Sequence, residues 1–222
     1  MTRPSQAPLA STTAPANAFG VIIRSMRRDL PDGGFIELDT AWLVEADAAR
    51  LERELREELA WEAREIVLFG KRILQPRLVA WAGCVEYTYS GQTLEPRAFG
   101  PALHRVVERV VERVGVPYNH VLANRYRDGN DSMGMHSDDE PELGESPIVS
   151  SLSFGAARRF VLAPRRGKGD RVALTLTAGS LLVMSGECQT HYRHGIPKDP
   201  RVTGERLSLT FRHVLAAMPA SR

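Results

Sequence analysis

Residues 148–176 read IVSSLSFGAARRFVLAPRRGKGDRVALTL. Within this stretch Ile148–Phe154, Arg159–Leu162 and Val172–Leu176 are short runs of β-branched and apolar residues, broken by small residues and by a charged, Gly-containing segment. That texture is the mark of strands joined by turns. It continues C-terminally through Ser180–Met184 and Leu207–Val214. Toward the N-terminus the period changes. Pro101–Val114 places Leu103, Val106, Val107, Val110, Val111 and Val114 on one helical stripe, opened by proline and stopped by Gly115 and Pro117. Glu45–Glu62 carries Leu51, Leu55, Leu59 and Trp61 among charges at helical intervals. Two helices followed by many short strands predict an α+β fold built on a sandwich or jelly roll.

A chain of 222 residues with 25% charged and 43% hydrophobic residues can bury one sizeable core. We expect a single domain over residues 18–222. Residues 1–17, rich in Ser, Thr, Ala and Pro and without periodicity, are expected to form a flexible tail. No uninterrupted apolar run is long enough to span a membrane and no secretory leader is legible, so the cytoplasm is the expected compartment. Cys84 and Cys188 are too few for a disulfide framework and form no CxxC pair. Neither a phosphate-loop spacing nor a heptad run occurs, which disfavours nucleotide hydrolysis and leaves a monomer as the expectation. A net charge of +2 does not by itself imply a nucleic-acid partner. The basic residues do cluster, however, at Arg158, Arg159, Arg165, Arg166, Lys168 and Arg171, where phosphates could lie.

The residues able to do chemistry lie outside that stretch. In MGMHSDDE, residues 133–140, His136 and Asp138 stand two apart, which on an extended strand directs both to one face. A further imidazole would complete a two-histidine, one-carboxylate triad, a donor set suited to Fe(II) that must also bind O2. His191 and His194, in HYRHGIP just beyond the apolar run Leu181–Met184, are both candidates. In ERLSLTFR, residues 205–212, alternation puts Arg206, Ser208, Thr210 and Arg212 on one face and Leu207, Leu209 and Phe211 on the other. Two inward guanidinium groups would suit a dicarboxylate; the alternative is the polar outer face of an edge strand.

Taken together, NRYRDGNDSMGMHSDDE (124–140), PIVSSLSFGAARRF (147–160), HGIP (194–197) and RLSLTFR (206–212) resemble the successive motifs of the AlkB family of Fe(II)/2-oxoglutarate-dependent dioxygenases, over roughly Phe69 to Arg212. The resemblance implies a double-stranded β-helix (jelly roll) with supporting N-terminal helices. It implies Fe(II) held by His136, Asp138 and His194, the last because the family's ligand directly precedes the G-I-P-like turn. The 2-oxoglutarate contacts of the family fall on Asn124, Tyr126, Arg206 and Arg212. Ser208 stands where the family usually has Asn, so one co-substrate contact is expected to be lost or made through water, with altered affinity.

The implied reaction is oxidative demethylation of N-alkylated bases such as 1-methyladenine and 3-methylcytosine in DNA, consuming O2 and 2-oxoglutarate and releasing succinate, CO2 and formaldehyde. By the same resemblance Tyr87 and Tyr89 in EYTYSG line a flipped-base pocket with the His136 ring, and Glu140 contacts the exocyclic group of the base. Two segments resemble the branch acting on double-stranded DNA: LFGK, residues 68–71, whose Phe69 would fill the gap left by the base, and RGK, Arg166 to Lys168, which would grip the undamaged strand. Two other readings fit the same motifs: a 2-oxoglutarate-dependent hydroxylase of RNA or protein, and a non-catalytic module that binds damaged DNA.

Overall fold

The structure, a computed structural model, describes residues 25–68, 70–89, 92–166 and 170–215, without the side chains of residues 67, 68 and 89. The tail expected over residues 1–17, Phe69 and Lys168 lie outside the described residues.

Two antiparallel sheets carry the fold. The larger has seven strands in the order β1-β2-β13-β10-β15-β8-β5: β1 (Ser25–Asp29), β2 (Gly34–Asp39), β13 (Leu181–Gly186), β10 (Val149–Gly155), β15 (Arg206–Arg212), β8 (His120–Tyr126) and β5 (Leu78–Gly83). The smaller has the order β12-β11-β14-β9: β12 (Val172–Leu176), β11 (Arg158–Pro164), β14 (Tyr192–Ile196) and β9 (Met133–His136). Two hairpins stand apart, β3 (Glu65–Leu68) with β4 (Lys71–Leu74), and β6 (Tyr87–Tyr89) with β7 (Gln92–Leu94). This is a jelly roll.

The helices α1 (Glu45–Glu58) and α2 (Pro101–Val114) cover the outer face of the larger sheet. Leu51 and Leu55 of α1 and Leu103, Val106 and Val110 of α2 pack with Leu152, Leu207, Leu209 and Phe211. On the opposite face Ile36, Leu38, Val149 and Leu182 meet Phe160, Leu162 and Leu174 of the smaller sheet. The central strands are therefore clad on both sides, which is why β10 and β13 are buried at nearly every position, β13 as an apolar run and β10 with serines on the face toward the smaller sheet and cleft.

Two expectations are corrected. The helix read over Glu45–Glu62 ends at Glu58: Leu59 turns to extended backbone, the Trp61 indole N–H takes the Arg56 carbonyl, and Glu62 pairs with Val79 across a β-bridge. The helices also do not precede the strands, since β1 and β2 come before α1 and five strands separate α1 from α2. β1–β4 lie among charged residues, and the exposed faces of β1 and β4 carry no apolar alternation to betray them.

Candidate active site

The site lies between the two sheets. β9 and β14 pair with His136 directly opposite His194, and the register shifts between His194 and Ile196. The close approach depends on Gly195, where a Cβ would fall 2.8 Å from the Met133 carbonyl oxygen. The His136 and His194 rings stand 4.4 Å apart between centroids. Asp138, two residues beyond β9, reaches back to both: its Oδ1 is 4.0 Å from His136 Nε2 and its Oδ2 3.7 Å from His194 Nε2. One donor atom from each of the three residues falls within 4.8 Å of the others. The His136 Nδ1–H donates to the Gly134 carbonyl at 3.0 Å, which fixes the tautomer and leaves Nε2 as the free lone pair.

Electrostatics hold these groups in ligating form. Burial, and the neighbouring His136, push His194 down to about 3, so it is neutral near pH 7. Burial lowers His136 as well. For Asp138 burial opposes ionisation, but the Arg212 guanidinium, with both imidazoles, outweighs it and keeps the carboxyl at about 2. The contact is an Arg212 Nη2–H to Asp138 Oδ1 hydrogen bond of 2.6 Å between two fully buried groups. Two neutral imidazoles and one carboxylate, with Asp138 and His194 buried and His136 partly open, form a donor set suited to a divalent ion.

Beyond the triad extends a cleft lined by Asn124, Tyr126, Ser208, Arg206 and Arg212 among others. β15 is an interior strand, so its arginines are not an edge decoration. Arg206, 1% exposed, rests its Nη2 on the hydroxyls of Ser153 (2.9 Å) and Ser208 (3.2 Å), with its charge over the Tyr126 ring. Its Nε and Nη1 have no hydrogen-bond partner among the described residues. A buried guanidinium with two open donors is suited to an anion. Arg77 Nε–H donates to Asn124 Oδ1 at 2.7 Å, which leaves the amide donors of Asn124 for the cleft that it lines.

The sequence reading missed several of these groups. Arg77, 6% exposed, precedes the apolar strand β5, where a lone buried arginine was the available signal. Met133 and Met184 line the cleft, and Phe160 stacks on His194 at 5.4 Å. Such packing partners have no motif. His191 is exposed at the end of α3 (Cys188–His191), on a surface pocket with Arg165, Arg166 and Thr190, so the structure brings His194 and not His191 to the triad.

Arg158 is removed from the basic surface. It is 1% exposed, donating to the carbonyls of Asp128, Asp131 and Pro197, whereas Arg165 and Arg166 are exposed. Tyr87 is likewise fully buried, against His120 and Arg212, and it reaches the half-buried Glu140 through its hydroxyl. In this structure Tyr87 therefore presents no exposed surface of its own.

The sequence and its relatives agree with this geometry. Residues 37–212 match the model of the 2OG-Fe(II) oxygenase superfamily. The chain belongs to that superfamily. Its relatives place it in the AlkB family: it is 38% identical over 191 residues to human alpha-ketoglutarate-dependent dioxygenase alkB homolog 3, covering 82% of this chain and 64% of that protein. It is 40% identical over 188 residues to mouse DNA oxidative demethylase ALKBH2, covering 79% of each. The solved structure of OsALKBH1 shares the fold, with a TM-score of 0.58 at 14% identity over 85% of this chain and all of that one. This chain thus spans less than two thirds of the human relative's length. The superfamily takes Fe(II), 2-oxoglutarate and O2, and the cleft offers donors for a divalent ion and for a carboxylate. No described helix is long and apolar enough to cross a membrane.

A neighbour of the site gives a pH prediction. His120 on β8 is fully buried, and both ring nitrogens lack a hydrogen-bond partner among the described residues. Burial, with the charge of Arg212, drives it from 6.5 down to about 3. Below pH 6.5 the unfolded chain therefore binds a proton that the folded one refuses, and stability falls on acidification until about pH 3. At pH 5 this costs about 2 kcal/mol. Between pH 7.5 and 5, His120→Phe should lose about 2 kcal/mol less stability than the parent in urea titrations. Equal losses would show that His120 charges freely in the folded state.

Proposed function

We propose that the chain is an oxidative demethylase of N-alkylated bases in DNA, of the 1-methyladenine and 3-methylcytosine type, acting on duplex and single strands as a cytoplasmic monomer. The observation that carries the reaction is the meeting of His136, Asp138 and His194 in one cleft with the open donors of Arg206. His136, Asp138 and His194 would hold Fe(II), and Asn124, Tyr126, Arg206, Ser208 and Arg212 would hold 2-oxoglutarate. Bound at these residues, Fe(II) would supply the activation of O2, coupled to decarboxylation of the keto acid to succinate, with one oxygen atom going to the N-methyl carbon. The resulting N-hydroxymethyl base would lose formaldehyde and a proton, which returns the lone pair to N1 of adenine or N3 of cytosine.

This chain's own residues orient and shield. Arg206 neutralises a carboxylate away from water, with Ser153 and Ser208 fixing its plane. Arg212 keeps Asp138 ionised. Burial raises the Glu140 carboxyl, and Tyr87 lies within hydrogen-bonding reach of it, so Glu140, backed by Tyr87, would meet the exocyclic edge of an extruded base beside the His136 ring. The DNA assignment draws on the mouse relative's name and on the exposed Arg165 and Arg166 beside the site. Phe69 and Lys168 keep the roles of strand wedge and phosphate contact in this reading, as does Tyr89 in the base pocket.

The test is mass spectrometry of a 1-methyladenine oligonucleotide, as single strand, duplex and RNA, incubated with Fe(II), 2-oxoglutarate and ascorbate. Loss of one methyl mass from DNA is expected. Turnover on RNA alone would move the chain to the RNA reading, and binding without turnover would support a non-catalytic module. Arg166→Ala combined with Lys168→Ala should weaken duplex binding and flatten its salt dependence while sparing single-strand repair. An equal loss on both would remove the duplex role.

A further inference from the structure

Asp138 lies outside every strand, so no sheet pairing holds its backbone. The segment that leads into His194 takes over this task. Ser137 Oγ–H donates to the Tyr192 carbonyl at 2.6 Å. The Asp138 N–H donates to Gln189 Oε1 at 3.0 Å. Asp139 accepts from Arg165 Nη1 at 2.5 Å, and the same nitrogen lies 3.5 Å from the Gln189 carbonyl. Three consecutive residues of the loop are thus tied to α3 and its surroundings, and the central tie is a side chain.

Gln189 is 1% exposed. Its Nε2 donates to Met184 Sδ at 3.6 Å, a weak acceptor that lines the active-site cleft. The orientation of the amide is determined: the Asp138 N–H can only donate, so the amide oxygen must face it, and the thioether receives the amino group. A buried amide with both ends used at one residue's backbone and one cleft wall is a poor choice for packing alone, because an apolar side chain of that volume avoids desolvating it.

We infer that Gln189 is a positioning residue for the metal centre, fixing the Asp138 backbone so that its carboxylate meets His136 and His194 before any ion arrives. Arg212 sets where the carboxylate points, and Gln189 sets where the residue stands. The inference rests on the ligand assignment proposed above. It extends the support of the centre from the histidines' own strands to the short helix α3, and it predicts that metal affinity depends on a side chain that touches no metal.

The experiment is Co(II) titration of the metal-free chain by visible absorbance, alongside thermal melting without metal. Gln189→Met keeps length and apolar bulk but removes the carbonyl oxygen, whereas Gln189→Glu keeps an oxygen at that place. Gln189→Met should bind Co(II) about tenfold more weakly, with a melting temperature close to that of the parent, and Gln189→Glu should recover most of the affinity. Affinity within twofold of the parent in Gln189→Met overturns the inference. So does a loss in both variants that only follows their melting temperatures. If Gln189→Met does not fold, amide exchange of the parent decides: the Asp138 N–H must be protected without metal, and exchange within seconds overturns the proposal. Failure of the parent itself to bind Co(II), or unchanged binding in Asp138→Ala, would instead remove the ligand assignment.

Discussion

Asp138→Ala is expected to abolish Fe(II)-dependent turnover and, in the same step, to destabilise the metal-free protein. The carboxylate is the only anionic member of the triad and faces both imidazoles. Without it two neutral nitrogens remain, too few to retain Fe(II) at micromolar concentration. Its second task is to partner Arg212, a guanidinium 1% exposed. Removing one member of a buried ion pair leaves the other charge desolvated, at about 3–5 kcal/mol. Formaldehyde release and chemical denaturation measured on the same preparation test both halves. Retained demethylation would show that the iron sits elsewhere, and unchanged stability would show that Arg212 finds another anion. Asp138→Asn separates the effects, because it keeps a hydrogen-bond acceptor for Arg212 while removing the charge from the triad.

Arg206→Met should do the reverse: lose the co-substrate without weakening the fold. Nε and Nη1 of the guanidinium make no hydrogen bond of good geometry among the described residues, so the folded chain carries a buried charge softened only by the Tyr126 ring and two hydroxyls, which an incoming carboxylate would complete. Substitution by an apolar side chain of similar length removes that desolvated charge, and the melting temperature of the metal-free protein is expected to hold or rise. The KM for 2-oxoglutarate is expected to rise on the order of 10²-fold, the loss of one buried charge-assisted pair. A variant that melts well below the parent would identify Arg206 as a structural residue. A variant whose KM is unchanged would move the carboxylate to another group, with Arg212 and Asn124 next in position.

How much of this was legible beforehand depends on how local each signal is. The alternation in RLSLTFR predicted the two faces of β15 correctly, because a strand's period of two is a property of the backbone. Val172–Leu176 and Pro101–Val114 were readable to the residue, being bounded by glycine, proline or charge. The pairing of His136 with His194 was not, since it rests on a contact between strands some sixty positions apart, and spacing alone left His191 equally eligible. Arg158 misled for the same reason. Arg159 beside it is basic and exposed, but its place at the start of β11 turns Arg158 inward to three carbonyls. Arg77 and Gln189 escaped notice because a single polar residue in an apolar setting has no motif until its partner is known.

The double use of β15 has a consequence for how the chain can go wrong. Its odd positions serve the helix-side core and its even positions the cleft, between two neighbouring strands with six- and seven-residue registers. A slip by one residue would drive two guanidinium groups into the packing beneath α1 and α2 and turn Leu207, Leu209 and Phe211 into the cleft. Such a molecule could neither hold together nor bind its co-substrate. The register that seats the apolar face of β15 beneath α1 and α2 is thus the one that delivers its arginines to the cleft, so a slipped strand is lost to folding before it can be lost to chemistry.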